Sequence, residues 1–259
     1  MPVQVHYAPI NGDRGAERFE RKFYLAPKKI GMAYGFLRQT CIMDSRYPSE
    51  QINSLYFDTA DLDQHERSTS GDFKKDKVRI RWYGTDSDMN GMQPIFIELK
   101  SKQGFVSTKQ RLRLLVPTEK LALDNLGKDV IPKSMLVDTL AGFGYYMKEM
   151  LQPVIKISYW RYRFNEVMTG QQVALDCHVC STMIMPGSGN GERELELLGG
   201  IIEIKGLSME LPITLKRARM LDTDWTRFSK YSACIDSHDE TPGSVGRSSP
   251  SGRIVRLYN

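Results

Sequence analysis

Basic residues recur at alternate positions along several short segments of this sequence. Lys77, Arg79 and Arg81 alternate with Val78, Ile80 and Trp82, and Glu98, Lys100 and Lys102 oppose Ile95, Ile97 and Leu99. Lys109, Arg111 and Arg113 oppose Leu112 and Leu114; Arg161 and Arg163 share the parity of Tyr159. Glu203 and Lys205 oppose Ile202 and Ile204, and Arg18, Glu20 and Lys22 oppose Phe19 and Phe23. A period of two is that of a half-buried strand, so each set of charges shares one strand face. Taken singly, each is a strand with a solvated face. Taken together, the faces carry many cations and, among the acids, only Glu20, Glu98 and Glu203. A solvated sheet mixes signs, because like charges on neighbouring strands repel. Two unit charges about 4 Å apart interact by roughly 4 kcal/mol at an effective dielectric near 20. Such a crowd turned toward one cavity asks for a polyanion, and phosphate chains suit it through charge-assisted hydrogen bonds from Arg and Lys.

The acids take two readings. A carboxylate among cations is a counter-ion, or it holds a divalent metal that bridges phosphate oxygens. Glu98 divides evenly between the two. Glu203 and Glu20 are the better metal candidates, because each stands two residues before a Lys on its own strand face and so offers a metal ligand beside a phosphate ligand.

The elements that must position these groups are mostly strands. Alternation predicts them over Phe19–Leu25, Ile52–Asp58, Lys77–Trp82, Ile95–Lys102, Lys109–Val116, Val154–Phe164, Val173–Ser181 and Gly200–Lys205. Helical spacing marks Lys28–Met43, Thr118–Met150 as two helices broken near Pro132, and Pro212–Ile235. The expected fold is α+β, an eight-stranded antiparallel β-barrel with helices packed outside. Residues 1–16 read as a flexible lead-in, 17–236 as one folded domain and 237–259 as a disordered basic tail.

The 259 residues are 41% hydrophobic and 26% charged, enough to build a core, and the formal net charge is +5. That excess is too modest to demand nucleic acid, and the basic residues alternate with core positions rather than with exposed stacking aromatics. No apolar stretch approaches the roughly 20 residues of a membrane-spanning helix, and the N-terminus lacks a signal-peptide pattern. Four scattered cysteines make no disulfide framework. A cytoplasmic protein is expected.

Eight of these segments, in order, resemble the VTC domain, the polyphosphate polymerase domain of the vacuolar transporter chaperone complex in the triphosphate tunnel metalloenzyme superfamily. They are Arg18-Phe-Glu-Arg-Lys-Phe23, Ser54-Leu-Tyr-Phe-Asp-Thr59, Lys77-Val-Arg-Ile-Arg-Trp-Tyr-Gly84 and Phe96-Ile-Glu-Leu-Lys100, then Ser107-Thr-Lys-Gln-Arg111, Tyr159-Trp-Arg161, Ile202-Glu-Ile-Lys205 and Phe228-Ser-Lys-Tyr231. The resemblance implies a tunnel that binds ATP by its phosphates and transfers the terminal phosphoryl to polyphosphate with Mn²⁺ or Mg²⁺. It implies that Lys22, Arg79, Arg81, Lys100, Lys109 and Arg161 contact the phosphates, that Lys230 with Arg227 closes one tunnel mouth, and that Glu203 is the principal metal ligand. No protein nucleophile is needed, since phosphoryl transfer rests on alignment and charge neutralisation. The chain departs from the pattern twice. Arg18 stands where the superfamily often has a Glu, which weakens the metal role of Glu20's strand, and Gln172 stands where an Arg is common, a contact that Arg163 could supply instead.

Three functions compete: an ATP-dependent polyphosphate polymerase, a tripolyphosphate or nucleoside triphosphate hydrolase, and a non-catalytic polyphosphate-binding module. A membrane-protein partner is compatible with the sequence but leaves no mark in it. Cys177-His178-Val179-Cys180 has zinc-like spacing without a second pair, and strand alternation explains it more simply. Asp176 is an auxiliary metal candidate, whereas Tyr56 and Asp58 read as shaping their strand and loop.

Overall fold

The computed structural model describes residues 19–84, 91–104, 106–128, 130–184, 194–207, 210–221, 228–239 and 255–258. In chain order these form β1 (Phe19–Leu25), α1 (Ile30–Thr40), β2 (Cys41–Met43), β3 (Ser49–Asp58), α2 (Asp63–Ser70), β4 (Lys74–Tyr83), β5 (Met92–Gln103) and β6 (Val106–Pro117). There follow α3 (Leu123–Leu126), α4 (Lys133–Gly142), β7 (Gln152–Glu166), β8 (Gln172–Met183), β9 (Glu194–Gly206), α5 (Lys230–Asp239) and β10 (Val255–Tyr258). Short 3-10 turns sit at Pro27–Lys29, Thr118–Leu121 and Ile213–Leu221. Among the described residues no helix is long and apolar enough to cross a membrane.

The stretch read as one domain divides into two compact units, one built chiefly from 52–157, the other from 15–51, 158–181 and 194–259. In the first, the strand order is β3-β4-β5-β6, all antiparallel. The alternation fixes its two faces. Leu55, Val78, Ile80, Ile95, Ile97, Leu99 and Leu114 pack with Leu126, Ile131, Leu136 and Leu140 from the helical segment that follows β6. The other parity carries the charges. Asp58, fully buried, ties the loop after β3 down: its carboxylate accepts the backbone N–H groups of Thr59, Gln64 and His65 at 2.8, 2.9 and 3.0 Å. It thereby satisfies donors in the first turn of α2, in keeping with the structural role expected for it.

In the second unit the order is β1-β9-β8-β7, with β2 on β7 and β10 on β9. Phe23, Leu25, Phe164, Val173, Leu175, Ile202 and Ile204 face Ala33 and Leu37 of α1 and Leu215 and Leu221. Neither strand order closes into a ring among the described residues. The expected closed eight-stranded barrel is therefore corrected to an antiparallel α+β arrangement of open strand sets. Alternation reports which face a residue takes, and closure depends on edge pairings that leave no periodic trace.

Smaller differences are local. The predicted helix Lys28–Met43 stops at Thr40, because Cys41–Met43 pairs with Phe164–Glu166 of β7. The predicted pair of helices over Thr118–Met150 shrinks to α3 and α4 after a 3-10 turn. Within the stretch read as a disordered tail, α5 runs on to Asp239 and β10 pairs with β9. The lead-in at 1–16 lies outside the described residues, as do Arg18 and Arg227.

Candidate functional site

Each unit gathers part of the predicted set around a buried carboxylate. In the first unit that carboxylate is Glu98, at 0% exposure. Register places Glu98 across from Arg79 on β4 and Arg111 on β6, and Lys100 across from Lys77 and Lys109. Arg79 meets one Glu98 oxygen twice, Nε at 2.8 Å and Nη2 at 2.7 Å, while the Lys109 ammonium sits 2.5 Å from the other. Arg81 stands 4.0 Å from Oε2 and donates from Nε to Ser54 Oγ at 3.3 Å. Arg79 also donates to the Tyr56 hydroxyl at 3.0 Å and lies over its ring, so Tyr56 positions a cation rather than doing chemistry. Burial disfavours a charged Glu98, but Arg79, Arg81 and Lys109 outweigh it and hold the carboxyl well below the usual range. Lys109 is pulled the other way. Although the side chain is 40% exposed, its crowded ammonium loses hydration, and this loss with Arg79 and Arg81 exceeds the attraction of Glu98 and lowers it to about 7.

The second unit builds a tighter cluster around Glu203, which β9 places opposite Lys22 of β1. Arg161 binds Asp176 of β8 in bidentate fashion at 2.6 and 2.6 Å and reaches Glu203 at 2.7 Å. Lys230, the first residue of α5, lies 2.5 Å from Asp176 and 3.0 Å from Glu203. A cation at a helix N-terminus opposes the macrodipole; the two carboxylates, with the Tyr159 face 4.7 Å away, are what make it tolerable here. Lys22 sits 3.7 Å from both Glu203 and Glu20. Burial acts against ionisation of Glu203, and Arg161, Lys230, Lys22 and Lys205 overcome it, holding the carboxyl far below its ordinary value. Arg161 and Lys230 are raised by Asp176 and Glu203 against the effect of burial.

Of the predicted site residues, Glu20, Lys22, Arg161, Glu203 and Lys230 come together in one unit, and Arg79, Arg81, Lys100 and Lys109 share one sheet face of the other. Asp176 emerges as the anchor of Arg161 and Lys230, with both of its oxygens engaged. Sequence reading passed over Glu166 at the end of β7. It accepts from the Met168 and Thr169 N–H groups at 3.1 and 2.7 Å and from the Thr169 and Thr214 hydroxyls at 2.6 and 2.5 Å. Burial raises its carboxyl, and these donors bring it down to about 2. Its signal was present as Glu-x-x-Thr (Glu166 to Thr169), a pattern that fits a side-chain-capped turn. In the zinc-like segment Cys177 is buried and its thiol is pushed up to about 11, chiefly by burial, while exposed His178 pairs with Glu196 at 3.1 Å.

A cavity of about 140 Å³ opens beside the Glu203 cluster, lined by Arg161, Glu203, Lys205, Arg163, Gln172, Asn165 and Asp44 among others. Arg163 is taken up by Glu50 and by the Tyr47 carbonyl, at 3.3 Å for the latter.

Among the described residues no group of three or more His, Cys, Asp or Glu forms a cage for a metal. Glu203 and Glu20 nonetheless supply the donor chemistry of Mg²⁺ or Mn²⁺. Such ions commonly take one or two protein carboxylates and complete their shell with substrate phosphate and water.

A family model described as the VTC domain matches residues 17–238. No curated protein matches the chain. Similar solved structures include a candidate adenylate cyclase from Bacillus halodurans, at 15% identity and TM-score 0.44, covering 90% of this chain and 95% of that one. A candidate adenylyl cyclase from Hippeastrum, described as having a dominant triphosphatase activity, aligns at 16% identity and TM-score 0.42, over 85% and 96% of the two chains. A third candidate adenylate cyclase, from Vibrio parahaemolyticus, gives 10% and 0.43, over 86% and 99%.

Proposed function

We propose, from the premise that the chain belongs to the VTC domain family, that it is a polyphosphate polymerase that transfers the terminal phosphoryl of ATP to a polyphosphate chain. The observation that carries this reading is the sheet face of β4, β5 and β6. There Lys77, Arg79, Arg81, Lys100, Lys109, Arg111 and Arg113 share one parity with a single acid, Glu98. A row of Arg and Lys on one strand face suits a chain of phosphates, which takes many charge-assisted hydrogen bonds at once.

The residues divide the work. Arg79, Arg81, Lys100 and Lys109 bind and align phosphate oxygens, with Glu98 holding Arg79 and Lys109 at fixed positions. Lys22, Arg161 and Lys230 form the second phosphate-binding group, oriented by Asp176 and Glu203. A divalent Mg²⁺ or Mn²⁺, held by Glu203 with Glu20, would supply charge neutralisation on the phosphate oxygens. Alignment and neutralisation suffice for phosphoryl transfer without a protein nucleophile. A tunnel enclosing the phosphates, expected from the resemblance, belongs to this proposal, as does a membrane-protein partner that would receive the product.

The test is incubation with ATP and Mn²⁺ or Mg²⁺, read on a gel that resolves phosphate chains. Chains that lengthen with time, and fail to do so with Arg79→Ala, are expected. Release of free phosphate without chains would make the protein a triphosphate hydrolase, and tight polyphosphate binding without turnover a binding module.

A further inference from the structure

Large apolar side chains stand in solvent at one end of the second unit, and local hydrogen bonds hold them together. Val167 and Met168, 51% and 70% exposed, form the turn between β7 and β8. Ile213, 70% exposed, opens the 3-10 segment Ile213–Leu221, and its neighbour Thr214 donates to the Glu166 carboxylate under that turn. Leu207, 68% exposed, follows the end of β9. Gly206 before it lies so close to the Gln171 side chain that a Cβ there would meet it at 2.5 Å. Single exposed apolar residues need no explanation, whereas a gathered set marks a contact surface. Positive charge flanks this one. Lys216 and Arg217 are exposed on the 3-10 segment, and Arg38 is exposed in the last turn of α1, which leads into the Cys41–Glu166 pair. Across 38–43, 166–171 and 206–217 the acids are Glu166, buried beneath the turn, and exposed Glu210. The backbone of the turn is already satisfied. The N–H groups of Met168 and Thr169 go to the Glu166 carboxylate, and that of Gly170 goes to the Glu166 carbonyl at 2.9 Å. A turn whose donors are answered internally leaves water at little cost. Apolar side chains on such a turn, flanked by cations, match the boundary between acyl chains and anionic headgroups.

We propose that this end of the second unit docks on an anionic lipid surface. Val167, Met168, Leu207 and Ile213 enter the headgroup layer, and Arg38, Lys216 and Arg217 pair with lipid phosphates. None of these residues belongs to the sets assigned to phosphate or metal binding, so the docking stands whether or not the polymerase reading does. It would hold the chain at a bilayer without a spanning helix.

The test is co-sedimentation of the full chain with vesicles of phosphatidylcholine alone and of phosphatidylcholine mixed with phosphatidylserine. Binding to the mixed vesicles is expected, weaker at raised salt and about tenfold weaker on phosphatidylcholine alone. Met168→Gln with Ile213→Thr should lower partitioning onto the mixed vesicles by about tenfold, and Lys216→Ala with Arg217→Ala by about as much. All four side chains are exposed, so the denaturant midpoints of both double variants should stay at the wild-type value, which shows that they are folded. Binding to the mixed vesicles that survives both double variants would place the lipid contact elsewhere and overturn the proposal. Equal binding to the two kinds of vesicle would overturn it as well. Failure to bind either would do the same and leave the patch to an acidic protein surface.

Discussion

The two clusters use the same residue types in opposite proportions. Around Glu98 one buried acid serves a row of cations that reaches out to Lys109, whose side chain is 40% exposed. Around Glu203 two buried acids, with Glu20 at the edge, face Arg161, Lys230 and Lys22, and Arg161 and Lys230 are themselves buried. The first sets a row of cations of one parity around a single acid of that face, and on the proposed reading it would receive an anion. The second is nearly balanced, and its ion pairs fix the positions of its members. Buried pairs of that kind add little net stability, because desolvation consumes most of the attraction, but removing one partner strands the other. On the proposed reading both clusters would contact phosphate, the second with its cations held in place by their acids.

The sharpest way to break this comparison is to delete each acid. Glu203→Ala should lower unfolding stability by about 3 kcal/mol or more, since it strands buried Arg161 and Lys230. Glu98→Ala should cost less, because Lys109 and, more weakly, Arg79 can hydrate. Added tripolyphosphate should then restore more of the loss in the Glu98 variant than in the Glu203 variant. Denaturant midpoints with and without tripolyphosphate read both effects, and equal losses with equal rescue would erase the distinction. Next in size, Arg79→Ala should weaken tripolyphosphate binding by about tenfold or more, as the loss of charge-assisted hydrogen bonds implies. That deficit should shrink as salt rises, measured by titration at two ionic strengths.

Acid should separate a merely structural carboxylate from both clusters. Glu166 has a folded value near 2, below its unfolded value, so its stabilisation is complete above the ordinary carboxylate range and is lost as pH falls toward 2. Glu166→Gln should destabilise at neutral pH and flatten the acid limb of the stability curve, while leaving tripolyphosphate affinity at pH 7 unchanged. The smallest effect concerns Lys109. With its ammonium near 7, it loses charge as pH rises through neutrality, so affinity for tripolyphosphate should fall modestly between pH 6 and 8 and binding should take up a proton. Lys109→Arg should abolish that proton uptake, seen as the loss of buffer-dependent binding heat.

Much of this was legible in the residues. Alternation located Arg79, Arg81, Glu98 and Lys109 on one strand face, and it put Val78, Ile80, Ile97 and Leu99 in the core, because a strand has only two faces to distribute. It could not show that Asp176 would take both Arg161 and Lys230. Those residues lie 15 and 54 positions away, and no local period connects them. Arg21 illustrates the limit from the other side: its parity puts it with Phe23 and Leu25, and the fold buries it there, 3.4 Å from Gln171, with its guanidinium lowered by desolvation.

The sequence by itself determined the parity of every charged strand and the family, since both are written in local order and spacing. Only the tertiary structure decided which cations meet which acids, that the strand sets remain open among the described residues, and that a cavity lies beside Glu203. These depend on pairings between segments far apart in the chain, where contact is set by packing and desolvation rather than by any neighbour in sequence.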